Sequence, residues 1–145
     1  MKLQPMIAKL LSLSLLAWAA PSIDLRDTSG ALHKTSEWSA SRAAVFFFVM
    51  TDCPVSNSYV PEMNRIRADY QSRGVATYAV MVENGESDDE IRKHVKEFGY
   101  GFPVLLDPQK RLARMTGAKV VPEVAVLSPA GEVRYLGRID NRVED

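Results

Sequence analysis

Residues 43–50 read Ala-Ala-Val-Phe-Phe-Phe-Val-Met, an unbroken apolar run rich in aromatic and β-branched side chains. A strand without alternation has no polar face to offer water, so it must be covered on both sides. The run therefore commits the chain to a sheet held between helices, and the rest of the sequence supplies them. A second, largely apolar run from Val75 to Val82 predicts another buried strand. Between the two, Tyr59, Met63, Ile66 and Tyr70 recur at spacings of 4, 3 and 4. That periodicity predicts a helix from Ser56 to Arg73 with one apolar face, stopped by Gly74. Pro61 lies inside it and, lacking an N–H, predicts a kink.

Further along, Ser87-Asp88-Asp89-Glu90 has capping-box spacing and opens a helix with Ile91, Val95 and Phe98 on one face, ending near Gly99. Phe102–Leu106 predicts a short strand. Asp107 is then expected to cap a helix with Pro108 at its first position and Gly117 past its end. Glu123–Leu127, the turn Ser128-Pro129-Ala130-Gly131 and Glu132–Arg138 predict a hairpin. Upstream, Ser22–Arg26 alternates polar and apolar residues before the turn-forming Asp27–Gly30, as a short edge strand does. Trp38 and Phe46–Phe48 are expected in the core, His94 on the surface or at the core boundary, and His33 in a solvated loop. Parallel strands with crossover helices, followed by an antiparallel hairpin, make an α/β fold with a mixed central sheet.

The 145 residues suffice for one domain, and 18 basic residues balance 18 acidic ones. With no basic stripe or long charge run, nucleic acid and membrane surfaces are not expected partners. The first twenty residues differ from the rest. Lys2 and Lys9 are their only charges, Leu10–Trp18 is apolar but for serines, and Ala17-Trp18-Ala19 places small residues where a signal peptidase reads. This layout predicts a signal peptide over 1–20, a domain over 21–145, and an exported protein, periplasmic or otherwise extracytoplasmic in a bacterium. The apolar run is shorter than the roughly 20 residues a spanning helix needs.

Cys53 is the sole cysteine, so no internal disulfide exists. A lone thiol in an exported chain is a reactive group or one paired with another molecule. With no cysteine pair there is no copper-type site, and neither metal nor cofactor is expected. Cys53 follows the buried run and precedes the predicted helix, the junction where open α/β sheets place their sites. Helix-terminal N–H groups there favour a thiolate. Adjacent Asp52 and Glu123 oppose that charge if they face the sulfur, or accept its proton; Asp52 can alternatively cap the helix. Ser56, three residues on, is placed to hydrogen-bond the thiolate.

Three features together resemble the thioredoxin-like superfamily, and most closely its redoxin branch of alkyl-hydroperoxide-reductase and thiol-specific-antioxidant domains. They are Thr51-Asp52-Cys53-Pro54-Val55-Ser56, Pro61 eight residues after the cysteine, and Val121-Pro122 before a strand. The resemblance covers about residues 22 to 140. It implies a thioredoxin-like fold with helices on both sheet faces, and a cis-proline loop at Val121-Pro122 packed beside Cys53. It further implies substrate contacts from Pro54, Val121, Pro122 and Glu123. This chain also departs from the pattern. Ser56 replaces the second cysteine of C-x-x-C, and Phe47 stands where thioredoxins hold a buried carboxylate. Phe46 and Met50 occupy the Pro and Thr positions of the peroxiredoxin signature P-x-x-x-T-x-x-C. The family's last helix is expected to be missing or truncated, because only seven residues follow Arg138.

The resulting expectation is a monothiol oxidoreductase of antioxidant or disulfide-exchange type. Cys53 attacks a disulfide, or is oxidised by a peroxide, and an external thiol or partner protein resolves it through an intermolecular disulfide. The alternative is a redox-inactive binding module that keeps the fold as a scaffold for partner proteins. Ser56 favours that alternative; the cysteine and both prolines favour the enzyme.

Overall fold

The computed structural model describes residues 22–83 and 85–141, so the expected signal peptide lies outside the described residues. The long apolar run is strand β3 (Ala43–Val49), the middle of a five-stranded sheet. The chain starts with β1 (Leu25–Arg26) and β2 (Leu32–His33), a small antiparallel pair, and then α1 (Thr35–Ser39). After β3 come α2 (Pro54–Ser58), α3 (Val60–Tyr70), β4 (Val75–Met81), α4 (Asp88–Phe98) and β5 (Val104–Leu106). Helix α5 (Arg111–Thr116), β6 (Glu123–Leu127) and β7 (Val133–Gly137) complete the described elements. The strand order is β5-β4-β3-β6-β7. Strand β3 runs parallel to β4 from Ala43↔Val75 to Val49↔Met81, and antiparallel to β6.

Alternation along β3 divides the core. Phe46 and Phe48 pack with Trp38 of α1 and with Leu112 and Ala113 of α5 on one face. Val45, Phe47 and Val49 pack with Tyr59, Met63 and Ile91 on the other. Helices thus cover both faces, as the unbroken run requires.

Several elements differ from the sequence expectation for local reasons. The kink is a break: α2 ends at Ser58 and α3 restarts at Val60, with Pro61 in its first turn, where a missing N–H costs nothing. Only Leu25–Arg26 of the first alternating stretch is a strand, because its partner β2 is equally short. Asp107 does not start a helix with Pro108. A turn intervenes, Lys110 adopts φ 54°, and α5 begins at Arg111. The Asp107 carboxylate nevertheless accepts from the N–H groups of Arg111, Leu112 and Ala113 at 2.7, 2.9 and 3.1 Å, capping the helix from four residues upstream. His33 is not solvated. Its Nε2 lies 2.8 Å from Asp27 Oδ2 and its Nδ1 3.2 Å from Glu37 Oε2, tying β2 to the turn and to α1. The capping box at Ser87 and Glu90 forms as expected.

Between α3 and β7 lies an apolar groove of about 360 Å³, lined by Phe47, Ile66, Tyr70, Val126, Tyr135 and Ile139. Strand β7 is the last element among the described residues.

Candidate active site

Cys53 sits at the C-terminal end of the β3 segment, half-buried, as the residue that caps α2. Its extended backbone (φ −95°, ψ 104°) turns the sulfur back over the helix start, where the Ser56 N–H donates to Sγ at 3.4 Å. Pro54 at the first helical position removes an N–H that would otherwise lack a partner. Capping therefore falls to Cys53 itself; Asp52 is exposed and does not cap. Nor does the Ser56 hydroxyl reach the sulfur. Ser56 is 0% exposed and its Oγ has no hydrogen-bond partner among the described residues. The contact expected of that residue is made by its backbone.

The Val121–Pro122 peptide bond is cis, and the Val121 carbonyl lies 4.0 Å from Cys53 Sγ. The predicted loop and the cysteine are thus brought together. Glu123 follows, but its carboxylate is engaged by the loop's own backbone: Oε2 accepts from the Lys119 N–H at 2.8 Å and from Val120 at 3.4 Å. Its observed role is to hold residues 119–123 in shape. Beside the loop runs a groove of about 240 Å³ lined by Val55, Tyr59, Val120, Val121, Pro122 and Ile139, with the Tyr59 hydroxyl donating to Asp140 Oδ1 at 2.6 Å. Val120 is 63% exposed at its rim.

Two residues unmarked by sequence reasoning hold the segment that presents the cysteine. The Glu83 carboxylate, just past β4, accepts from the Thr51 N–H at 2.8 Å, and Asn57 Nδ2 donates to the Thr51 carbonyl at 3.0 Å. Thr51 is clamped on both sides. Glu83 is 8% exposed, and its second oxygen has no partner among the described residues. Burial pushes its carboxyl above the ordinary range; the Thr51 hydrogen bonds pull the other way, and the charges of Glu86 and Asp52 add to the rise. The one available signal was a carboxylate ending a buried strand next to the strand that carries Cys53. Tyr100 is likewise pushed up, by burial first and then by the charges of Glu83 and Cys53. Among the described residues, no group of three His, Cys, Asp or Glu side chains is placed to hold a metal ion.

The profile of the AhpC/TSA family matches residues 17–136. The thiol-disulfide oxidoreductase ResA of Geobacillus thermodenitrificans is 28% identical over 117 residues, 81% of this chain and 66% of the relative. The chain thus spans just under two thirds of that relative's length. A hypothetical protein from Sinorhizobium meliloti 1021 superposes with a TM-score of 0.76 at 26% identity, over 86% of this chain and 70% of the other. A secreted Mycobacterium tuberculosis disulfide oxidoreductase, homologous to E. coli DsbE, shares the fold at TM-score 0.65 and 16% identity, over 77% of this chain and 79% of the other. The thioredoxin-like fold expected from the cysteine and the two prolines is the fold these proteins have, and the match over most of its length places the chain in the AhpC/TSA family.

Proposed function

We propose that this chain is an extracytoplasmic thiol-disulfide oxidoreductase that uses Cys53 as its only nucleophile. The observation that carries the reading is the placement of Cys53 Sγ, which accepts the Ser56 N–H and faces the Val121 carbonyl of the cis-proline loop. A sulfur given a backbone donor at a helix start is favoured as thiolate, and thiolate is the attacking form. The name of the ResA relatives supports a disulfide as substrate. Phe46, fully buried in the core, and Met50 occupy positions where a peroxidase needs Pro and Thr, which weighs against a peroxide. Export rests on the layout of residues 1–20 and on the secreted relative.

The cycle follows from having one thiol. Cys53 thiolate attacks a substrate sulfur, the substrate S–S bond breaks, and the departing sulfur leaves as a thiolate that takes a proton from solvent. An external thiolate then attacks Cys53 Sγ and expels the second substrate sulfur. A second external thiol frees Cys53, leaving the two external thiols joined as a disulfide. The substrate chain lies along Val121-Pro122, with Val55, Val120 and Pro54 as apolar contacts and Glu123 holding the loop. Ser56 supports the second reading, the fold kept as a scaffold for partner proteins with Cys53 inert or held in an intermolecular disulfide.

Turnover of a model disulfide with excess glutathione separates the two. Cys53→Ala is expected to reduce the rate to the uncatalysed background. Turnover equal to wild type overturns the enzyme reading.

A further inference from the structure

We propose that Glu83 is a positioning residue that sets how readily Cys53 ionises: the two groups titrate as one electrostatically coupled pair behind the Thr51–Cys53 turn. This rests on the reading of Cys53 as nucleophile. Three observations carry it. Glu83 is more than nine-tenths buried, one of its oxygens is bound to the Thr51 N–H at 2.8 Å, and the other has no partner among the described residues. The β3–β4 register, ending at Val49↔Met81, brings residue 83 alongside the turn that presents the cysteine. Thr51, which Glu83 holds, lies two residues before the half-buried Cys53, so the two groups flank one poorly solvated patch. Two anions sharing such a patch oppose each other's ionisation.

The other charges facing the pair are few. Asp52 on the turn and Glu86 beyond β4 both act on Glu83. Glu123 is turned to the backbone of Lys119 and Val120. Lys110 and Lys119 line a groove together with Met50, Val82 and Val121. His94, whose charged form burial disfavours, packs against Tyr100 with ring centroids 6.3 Å apart. Among the described residues, no cationic side chain is paired with the Glu83 carboxylate.

The test is the pH dependence of Cys53 alkylation by iodoacetamide in wild type and Glu83→Gln. Glutamine keeps an oxygen for the Thr51 N–H and removes only the charge. The expected result is a profile shifted to lower pH, with about fivefold faster alkylation below the wild-type midpoint. A purely structural Glu83 leaves the profile where it was, and coincident profiles overturn the proposal. Linkage requires the reciprocal effect. In wild type, the Glu83 carboxyl signal, followed by carbon NMR, must show a second step over the pH range in which the thiol ionises, and Cys53→Ser must lose that step. A Glu83 signal without that step in wild type overturns the proposal even if the glutamine variant fails to fold. Because both measurements read ionisation and not turnover, they stand apart from the Cys53→Ala assay: loss of the coupling with turnover intact refutes this inference alone.

Discussion

Replacing Asp107 tests how the cis-proline loop is held. Asp107 is 0% exposed at the end of β5, and its own N–H donates to the Met81 carbonyl at 2.9 Å. Its carboxylate takes three N–H groups from the first turn of α5, the helix that leads into the loop. Two of those donors, on Leu112 and Ala113, are buried with the side chain. Alanine orphans them both, while the Arg111 N–H lies near the surface and reaches water. At about 1–3 kcal/mol per buried orphan, and with a cap contributing about 1, Asp107→Ala should lose about 3 kcal/mol. Asparagine keeps its oxygen toward Leu112 and Ala113 and turns its NH₂ against Arg111, so it should lose about 1 kcal/mol. In urea, with a slope of about 2 kcal/mol/M, the midpoints should fall by about 1.5 M and 0.5 M respectively. Equal midpoints for the two variants would refute the argument, because the cost would then lie in the missing charge and not in the unpaired donors.

Ser56→Cys should turn the site into a dithiol. The position is buried, its hydroxyl has no partner among the described residues, and a thiol suits it better; thiol titration after mild oxidation should find no free sulfur, and a trapped mixed disulfide should decay about a hundredfold faster than in wild type. Two free thiols after oxidation would show that the residues cannot meet. Stability should fall in acid through Asp27. Burial opposes its charge, but hydrogen bonds from Ser29, His33 and the Ser29 and Ala31 N–H groups outweigh burial and hold the carboxyl below its ordinary range. A depressed native pKa contributes stability above the unfolded value of about 3.9, and that contribution is lost as pH falls through the native value. His33→Ala should therefore cost about 1 kcal/mol at neutral pH and move the acid-unfolding midpoint upward; an unchanged midpoint refutes the tie.

What was legible in the sequence was local. The eight-residue apolar run fixed a two-faced strand, Ser87 and Glu90 fixed a helix start, and Val121-Pro122 marked the loop that meets the sulfur, because each is a pattern over a few neighbours. What was missed depends on pairing at a distance. Glu83 reaches Thr51 across 32 residues, and only the β3–β4 register brings them together. His33 looked like a loop residue until β1 paired with β2 and placed it against Asp27 and Glu37. The start of α5 slipped by a turn because Asp107 can cap at a distance once Lys110 takes a left-handed conformation, and nothing in the spacing announces that.

The site's electrostatics follow from the same break that splits the kinked helix. Helix α2 spans only Pro54–Ser58 before Tyr59 interrupts it, so no long stack of peptide dipoles points at Cys53. The backbone contact at the sulfur is then one directed donor, the Ser56 N–H at 3.4 Å. Acidity at such a site is decided by individual groups within a few ångströms. A single uncharged substitution at Glu83 should therefore move it more than any change of helix propensity along α3.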